Sequence, residues 1–183
     1  GVRFSSKSDS EILLRLYQRQ GLESTLPLLR GEFAFALFDA ADDCLYLVRD
    51  RFGIKPQYWT MTPEGLVFGS ELKVLFAHPA VERRFTSEGL FHQLMQTMVP
   101  GTTAFAGVHQ VQPGHVLKVQ RRSDRLEVSE STYWDVDFPR LDQRDSTLTE
   151  ADHIANVRAA LLDAVEMRMV ADVPVGCCLS GGI

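Results

Sequence analysis

A run of apolar residues from Val173 to Leu179 stops at Ser180-Gly181-Gly182, and here residue type and spacing most directly suggest chemistry. The run reads as a buried strand. A strand that ends in Ser-Gly-Gly can turn its backbone N–H groups outward around an anion, because glycine removes the side chains that would block approach. A helix starting after the turn would direct the partial positive charge of its N-terminus at the same point, so a phosphate group fits there. The Gly-Lys-Ser/Thr ending of a Walker loop is absent, which disfavours a P-loop NTPase. Taken alone, the feature is a weak signal and reads first as a plain structural turn.

Other reactive residue types are dispersed. Cys44, Cys177 and Cys178 lie in apolar, strand-like surroundings without disulfide or metal spacing, which predicts reduced core thiols. His78, His92, His109, His115 and His153 show no ligand spacing, so no metal site is expected. Arg49, Asp50 and Arg51 are expected to pair with one another and with Glu71 to hold a loop, rather than to touch substrate. Asp9 falls in the first turn of a helix, where the dipole favours a carboxylate. The cluster of Phe33, Phe35 and Phe38 is core, since no basic groove accompanies it.

Positioning falls to the stretch from Gly31 to Tyr58, GEFAFALFDAADDCLYLVRDRFGIKPQY. Its first strand, Glu32 to Asp39, carries Phe33, Phe35 and Leu37 on one face and Ala34, Ala36 and Phe38 on the other, so neither face suits water. An acidic turn, Ala40 to Asp43, leads into a return strand from Cys44 to Val48, which reads as a hairpin inside a larger sheet. A sheet apolar on both faces predicts a layered α+β domain, with a second sheet on one side and helices on the other.

The remaining elements follow from periodicity and turn residues. Ser8 with Glu11 three residues on is a capping-box signature for a helix ending near Gly21, and Glu23 to Leu29 is a second helical piece. Leu66 to Gly69 reads as a return strand, Ser70 to Phe76 as a short helix, and Leu90, Phe91, Leu94 and Met98 recur at helical spacing after Thr86. Val108 to Val111, Val116 to Val119 and Leu126 to Trp134 read as strands. Asp135 to Asp145 lacks periodicity and is read as linker. Ile154, Val157, Leu161, Val165 and Met169 then mark one face of a long helix that starts with Glu150 and Asp152.

Composition narrows the function classes. With 183 residues, 45% of them hydrophobic, the chain can bury one core and begin another. A formal net charge of −5 with scattered basic residues argues against nucleic acid. No apolar run approaches the roughly 20 residues of a membrane helix, and no signal pattern opens the chain, so a cytoplasmic setting is expected. The chain opens without methionine and stops within a glycine turn, so it is read as a fragment.

In combination, GEFAFALFD, RDRFGIKPQYW, FGSELKVL, the Tyr133-Trp134 pair and DVPVGCCLSGGI resemble, in order and spacing, the glutamine-hydrolysing asparagine synthetases. The resemblance runs over essentially the entire chain. It implies a class II glutamine amidotransferase domain of the N-terminal-nucleophile type, an α/β/β/α sandwich, over residues 1–138, a linker at 139–147, and the start of the synthetase domain at 148–183. It further implies that Asp9 receives the α-ammonium of glutamine, with a carboxylate as the right partner for that cation. Leu179 would lie against adenosine, with Ser180, Gly181 and Gly182 around the phosphates of ATP.

Two coupled reactions are implied. An N-terminal cysteine using its own α-amino group as base would release ammonia from glutamine through a thioester. The second domain would adenylate aspartate with ATP and let ammonia displace AMP, giving asparagine, with Mg²⁺ neutralising the leaving pyrophosphate. The partners implied are glutamine, aspartate and ATP, without nucleic acid or membrane, and a homodimer is compatible with this. The family's nucleophile and its Asn-Gly-Glu stretch lie upstream of Gly1, and its Asp-Ser follows Ile183, so the 183 residues alone are expected to lack turnover. Two alternatives stay open: a relative that adenylates another carboxylate, as β-lactam synthetases or biosynthetic-cluster amidotransferases do, and a regulatory domain without the nucleophile.

Overall fold

In the computed structural model, residues 4–97, 99–143, 147–179 and 181 are described. The elements in chain order are α1 (Asp9–Thr25), β1 (Ala34–Asp39), β2 (Cys44–Arg49), β3 (Tyr58–Thr62), β4 (Gly65–Gly69), α2 (Leu72–Leu75), α3 (Ser87–Leu94), β5 (His109–Gln110), β6 (His115–Arg122), β7 (Arg125–Thr132) and α4 (Glu150–Arg168), with 3-10 turns at Leu26–Leu28 and Leu141–Gln143. They divide into a first compact unit ending at Val136 and a second beginning at Asp137.

The hairpin forms half of an antiparallel sheet in the order β1-β2-β6-β7, and a second antiparallel sheet runs β4-β3-β5. Alternation along β2 shows how the layers stack. Val48 and Tyr46 pack with Leu22 and Leu26, on and just after α1. Leu47 and Leu45 face the other way and, with Leu117 of β6, pack against Trp59 of the second sheet and Val111 just after β5. Beyond that sheet, Tyr58 and Val67 meet Leu72 and Leu75 of α2. The result is helix, sheet, sheet, helix, the sandwich expected of the hairpin, but Phe38, read as core, is 61% exposed because β1 is an edge strand. Leu47, Val48, Leu75 and Val111 are fully buried, and each contributes about 1.5–3 kcal/mol.

On β1 the register pairs Phe35 with Val48 and Leu37 with Tyr46 on the helix side, leaving Ala36 opposite Leu47 on the sheet side. The two helical pieces read from the sequence meet within α1 at Gly21, which leaves helical geometry with φ 76° and ψ 173°, and the hydroxyl of Thr25 donates to its carbonyl at 2.7 Å. Tyr17 reaches from α1 to the Asp39 carboxylate, and that hydrogen bond, with burial, pushes its phenol up to about 12.

Ser8 caps α1 as read, with its hydroxyl accepting from Ser10 N–H. Glu11 departs from the capping box: its carboxylate accepts from the backbone N–H and hydroxyl groups of Ser5 and Ser6 at 2.7–3.0 Å. These bonds pull Glu11 from its ordinary 4.5 to about 2. A depressed carboxylate stabilises the fold fully above its unfolded value and loses that contribution as pH falls through the folded one. The Ser5–Ser6 clasp is therefore expected to hold at neutral pH and to release between pH 4.5 and about 2. A carboxyl NMR titration of Glu11 with its midpoint at the ordinary value would show that the clasp does not form.

The second unit departs from expectation. In α4 the Thr149–Asp152 capping box is complete, with Thr149 N–H on Asp152 at 2.9 Å and the reciprocal bond at 3.2 Å. Its apolar face, Ile154, Val157, Leu161 and Val165, remains exposed. Residues 173–179 form no strand, contrary to the sequence reading, because a strand needs a neighbour to complete its ladder and none pairs with it among the described residues. Cys177 and Cys178 are accordingly exposed rather than core thiols, whereas Cys44 is buried as expected. Among the described residues no helix is long and apolar enough to cross a membrane.

Candidate functional site

Asp9 opens α1 and lines a cleft of about 470 Å³ together with Leu13, Glu32, Phe33, Lys55 and Ser70. Its walls come from four places: the first turns of α1, the chain entering β1, the loop after β2, and the residue after β4. The volume is large enough for a small-molecule ligand, an amino acid included. Lys55 Nζ stands 3.5 Å from Glu32 Oε2, and both side chains are partly exposed, so the pair orders the rim more than it stabilises the fold. Arg30 also lines the cleft. Carboxylates and cations lining one cleft can meet both ends of a zwitterion.

The loop carrying Lys55 is held by a knot of buried charge. Asp50 is 2% exposed, and its carboxylate accepts four backbone N–H groups: Phe33 at 3.2, Phe52 at 3.1, Ile54 at 3.0 and Lys55 at 2.9 Å. The Arg49 guanidinium donates to the carbonyls of Lys55 at 2.9 Å and Val111 at 2.8 Å, and to that of Gly53. Burial pulls Arg49 below its ordinary value, against the opposing pull of Asp50. Arg51 donates to the carbonyls of Leu29 and Pro27, which ties the loop to the segment before β1.

The expected partnership of these three residues with one another and with Glu71 is thus corrected. Glu71 pairs with Lys73 at 2.7 Å, and the loop charges bind peptide groups instead. A tight loop leaves backbone donors and acceptors without ladder partners, and a buried charge satisfies several at once.

Tyr133 and Trp134 dock where β7 ends. Both backbone N–H groups donate to the Gly114 carbonyl, and Gly114 N–H donates to the Asp50 carbonyl at 2.9 Å. The Tyr133 hydroxyl, raised to about 12 mainly by burial, donates to the Arg49 carbonyl at 2.8 Å. The Phe52 ring lies 5.1 Å from that of Trp134.

Of the site residues read from the sequence, Asp9 is therefore placed in a cleft. Leu179 is 95% exposed and Gly181 lies in the same segment without strand partners; Ser180 and Gly182 lie outside the described residues. Glu32, Lys55 and Ser70 were not legible as site residues, since only the meeting of α1 with the two sheets brings them to Asp9. Beside them, Gln57 donates its amide to the Phe35 carbonyl at 3.2 Å and buries its Oε1 without a hydrogen-bond partner.

Comparison with known proteins agrees with this architecture. The sequence profile of the glutamine amidotransferase domain matches residues 1–134, and that of asparagine synthase matches 156–183. Over the whole chain the protein is 37% identical to asparagine synthetase 3 (glutamine-hydrolyzing) of Bacillus subtilis, and covers 28% of that protein. It is 39% identical to Amidase chyE of Penicillium rubens and 41% to Amidase chry2 of Gibberella zeae, over 99% of the chain and 26% of each relative. The chain thus spans about a quarter of the length of these relatives. Among solved structures, the glutamine phosphoribosylpyrophosphate amidotransferase of Bacillus subtilis, complexed with ADP and GMP, superposes with a TM-score of 0.50 at 19% identity, over 73% of this chain and 24% of that one; it supports the fold. Sandwich and profile agree over the same residues, and the chain belongs to the glutamine amidotransferase domain family.

Proposed function

We propose that this chain is part of an ATP-dependent, glutamine-hydrolysing asparagine synthetase, in which residues 1–138 bind glutamine and residues 148–183 begin the domain that activates aspartate. The observation that carries the reading is the placement of Asp9 at the wall of a cleft large enough for an amino acid. In this reading the Asp9 carboxylate holds the α-ammonium of glutamine, and the knotted loop at 49–55 fixes the opposite wall. Ammonia released there would be used on aspartate adenylated by ATP, with Mg²⁺ accompanying the nucleotide and Leu179, Ser180, Gly181 and Gly182 around it. The products are asparagine, glutamate, AMP and pyrophosphate, and a cytoplasmic homodimer is compatible with the reading.

Asp9→Asn in the gene product that carries this chain tests it. Losing one charge-assisted hydrogen bond of about 1.5–3 kcal/mol should raise KM for glutamine about ten- to a hundredfold while sparing synthesis from free ammonia. Equal losses with both nitrogen donors would overturn the assignment of Asp9.

A second reading is favoured by the two amidases, whose identity to this chain matches or exceeds that of the asparagine synthetase. In it the acceptor is another carboxylate. AMP release with L-aspartate as sole acceptor supports the first reading; release only with other carboxylic acids supports the second.

A further inference from the structure

The Asp50 knot touches two places that the proposed reaction leaves unconnected. On one side, Phe33 and Lys55 line the Asp9 cleft, and their N–H groups share the same Asp50 oxygen, at 3.2 and 2.9 Å. On the other, three separate links reach Tyr133 and Trp134, the last residues matched by the amidotransferase profile. One runs through Gly114, whose N–H meets the Asp50 carbonyl and whose carbonyl takes both their N–H groups. A second is the Tyr133 hydroxyl on the Arg49 carbonyl, at 2.8 Å. The third is the contact of the Phe52 and Trp134 rings, with Phe52 N–H itself held by Asp50 at 3.1 Å.

Because one carboxylate holds four amides of the loop and its flank, Phe33 and Lys55 cannot move independently of the groups that seat Tyr133 and Trp134. We infer that Asp50 is a positioning residue that carries the occupancy of the glutamine cleft to the end of β7, where the chain leaves the amidotransferase domain. A ligand that pins the cleft wall lowers the opening of the whole knot, so the end of β7 becomes better protected when glutamine is bound. Coupling of this kind requires that both places bias one element, and the loop at 49–55 is that element.

The inference rests on the reading of the cleft as a glutamine site, so the test reads binding and coupling separately. In the gene product that carries this chain, L-glutamine binding is measured by calorimetry, and exchange of the Tyr133 and Trp134 amides by NMR. Glutamine should bind and slow exchange at both amides on the order of fivefold or more. In the double variant Phe52→Ala/Tyr133→Phe, which changes no residue lining the cleft, affinity should stay within about twofold while the slowing falls markedly, two of the three links being cut. Asp50→Asn should lose it as well, and the double variant stands alone if Asp50→Asn does not fold. Binding without slowing, or slowing that survives the double variant undiminished, overturns the coupling and leaves the cleft assignment intact. Absence of any binding heat overturns the cleft assignment and the coupling with it.

Discussion

Replacing Asp50 with alanine is expected to lower the unfolding free energy by about 3–5 kcal/mol, the largest single-site effect in the first unit. The side chain is 2% exposed, so bulk water does not reach the groups it binds. Removing it orphans the N–H groups of Phe33, Phe52, Ile54 and Lys55 together and leaves the buried Arg49 guanidinium without its neighbouring charge. Domains of this size are stable by about 5–15 kcal/mol, so a loss of this size removes most of the stability at the lower end of that range. Asp50→Asn keeps one acceptor oxygen and should lose roughly half as much. Urea denaturation of the three proteins measures this directly; a loss below about 1 kcal/mol for Asp50→Ala would show that the knot is not what holds the loop.

Gly114→Ala should be the next most damaging change, at about 2–4 kcal/mol. Gly114 has φ +68°, which costs an L-residue about 1–2 kcal/mol by itself. An added Cβ would also fall well inside contact distance of the Trp134 carbonyl oxygen, a backbone atom that cannot rotate away. Relief requires Tyr133 and Trp134 to leave the Gly114 carbonyl, which breaks two hydrogen bonds together. Gly107→Ala is the control: φ is +70° and nothing lies within 4 Å, so only the torsional part should appear. Equal shifts in urea midpoint for the two variants would exclude the steric part of the argument.

The layering was legible because its cause is local. Alternating apolar residues at Phe33, Phe35 and Leu37, and at Leu45 and Leu47, specify two buried faces whatever packs on them, and β1 and β2 formed accordingly. The break in α1 was legible at Gly21, read as the end of the first helical piece, whereas the course of the second piece depends on Leu22 and Leu26 finding the sheet. The knot was not legible. A carboxylate that binds peptide groups leaves no pattern in side-chain types, and the nearest charges in sequence made ion pairs look like the natural solution. Asp9 was singled out through the register of neighbouring motifs and lies on a cleft, whereas Glu32, Lys55 and Ser70 carry no spacing that announces their place on it. The strand expected at 173–179 was read from apolar character, which gives a tendency to pair but cannot supply the partner.

The knot also bears on how freely this domain can diversify. Asp50 recognises the backbone of Phe52, Ile54 and Lys55 and ignores their side chains. Those side chains are therefore at liberty to vary across a lineage without disturbing the loop's path, provided that none becomes proline. A constant frame with interchangeable decoration is what evolvability requires of a cleft wall, and here a single acid side chain holds most of the frame.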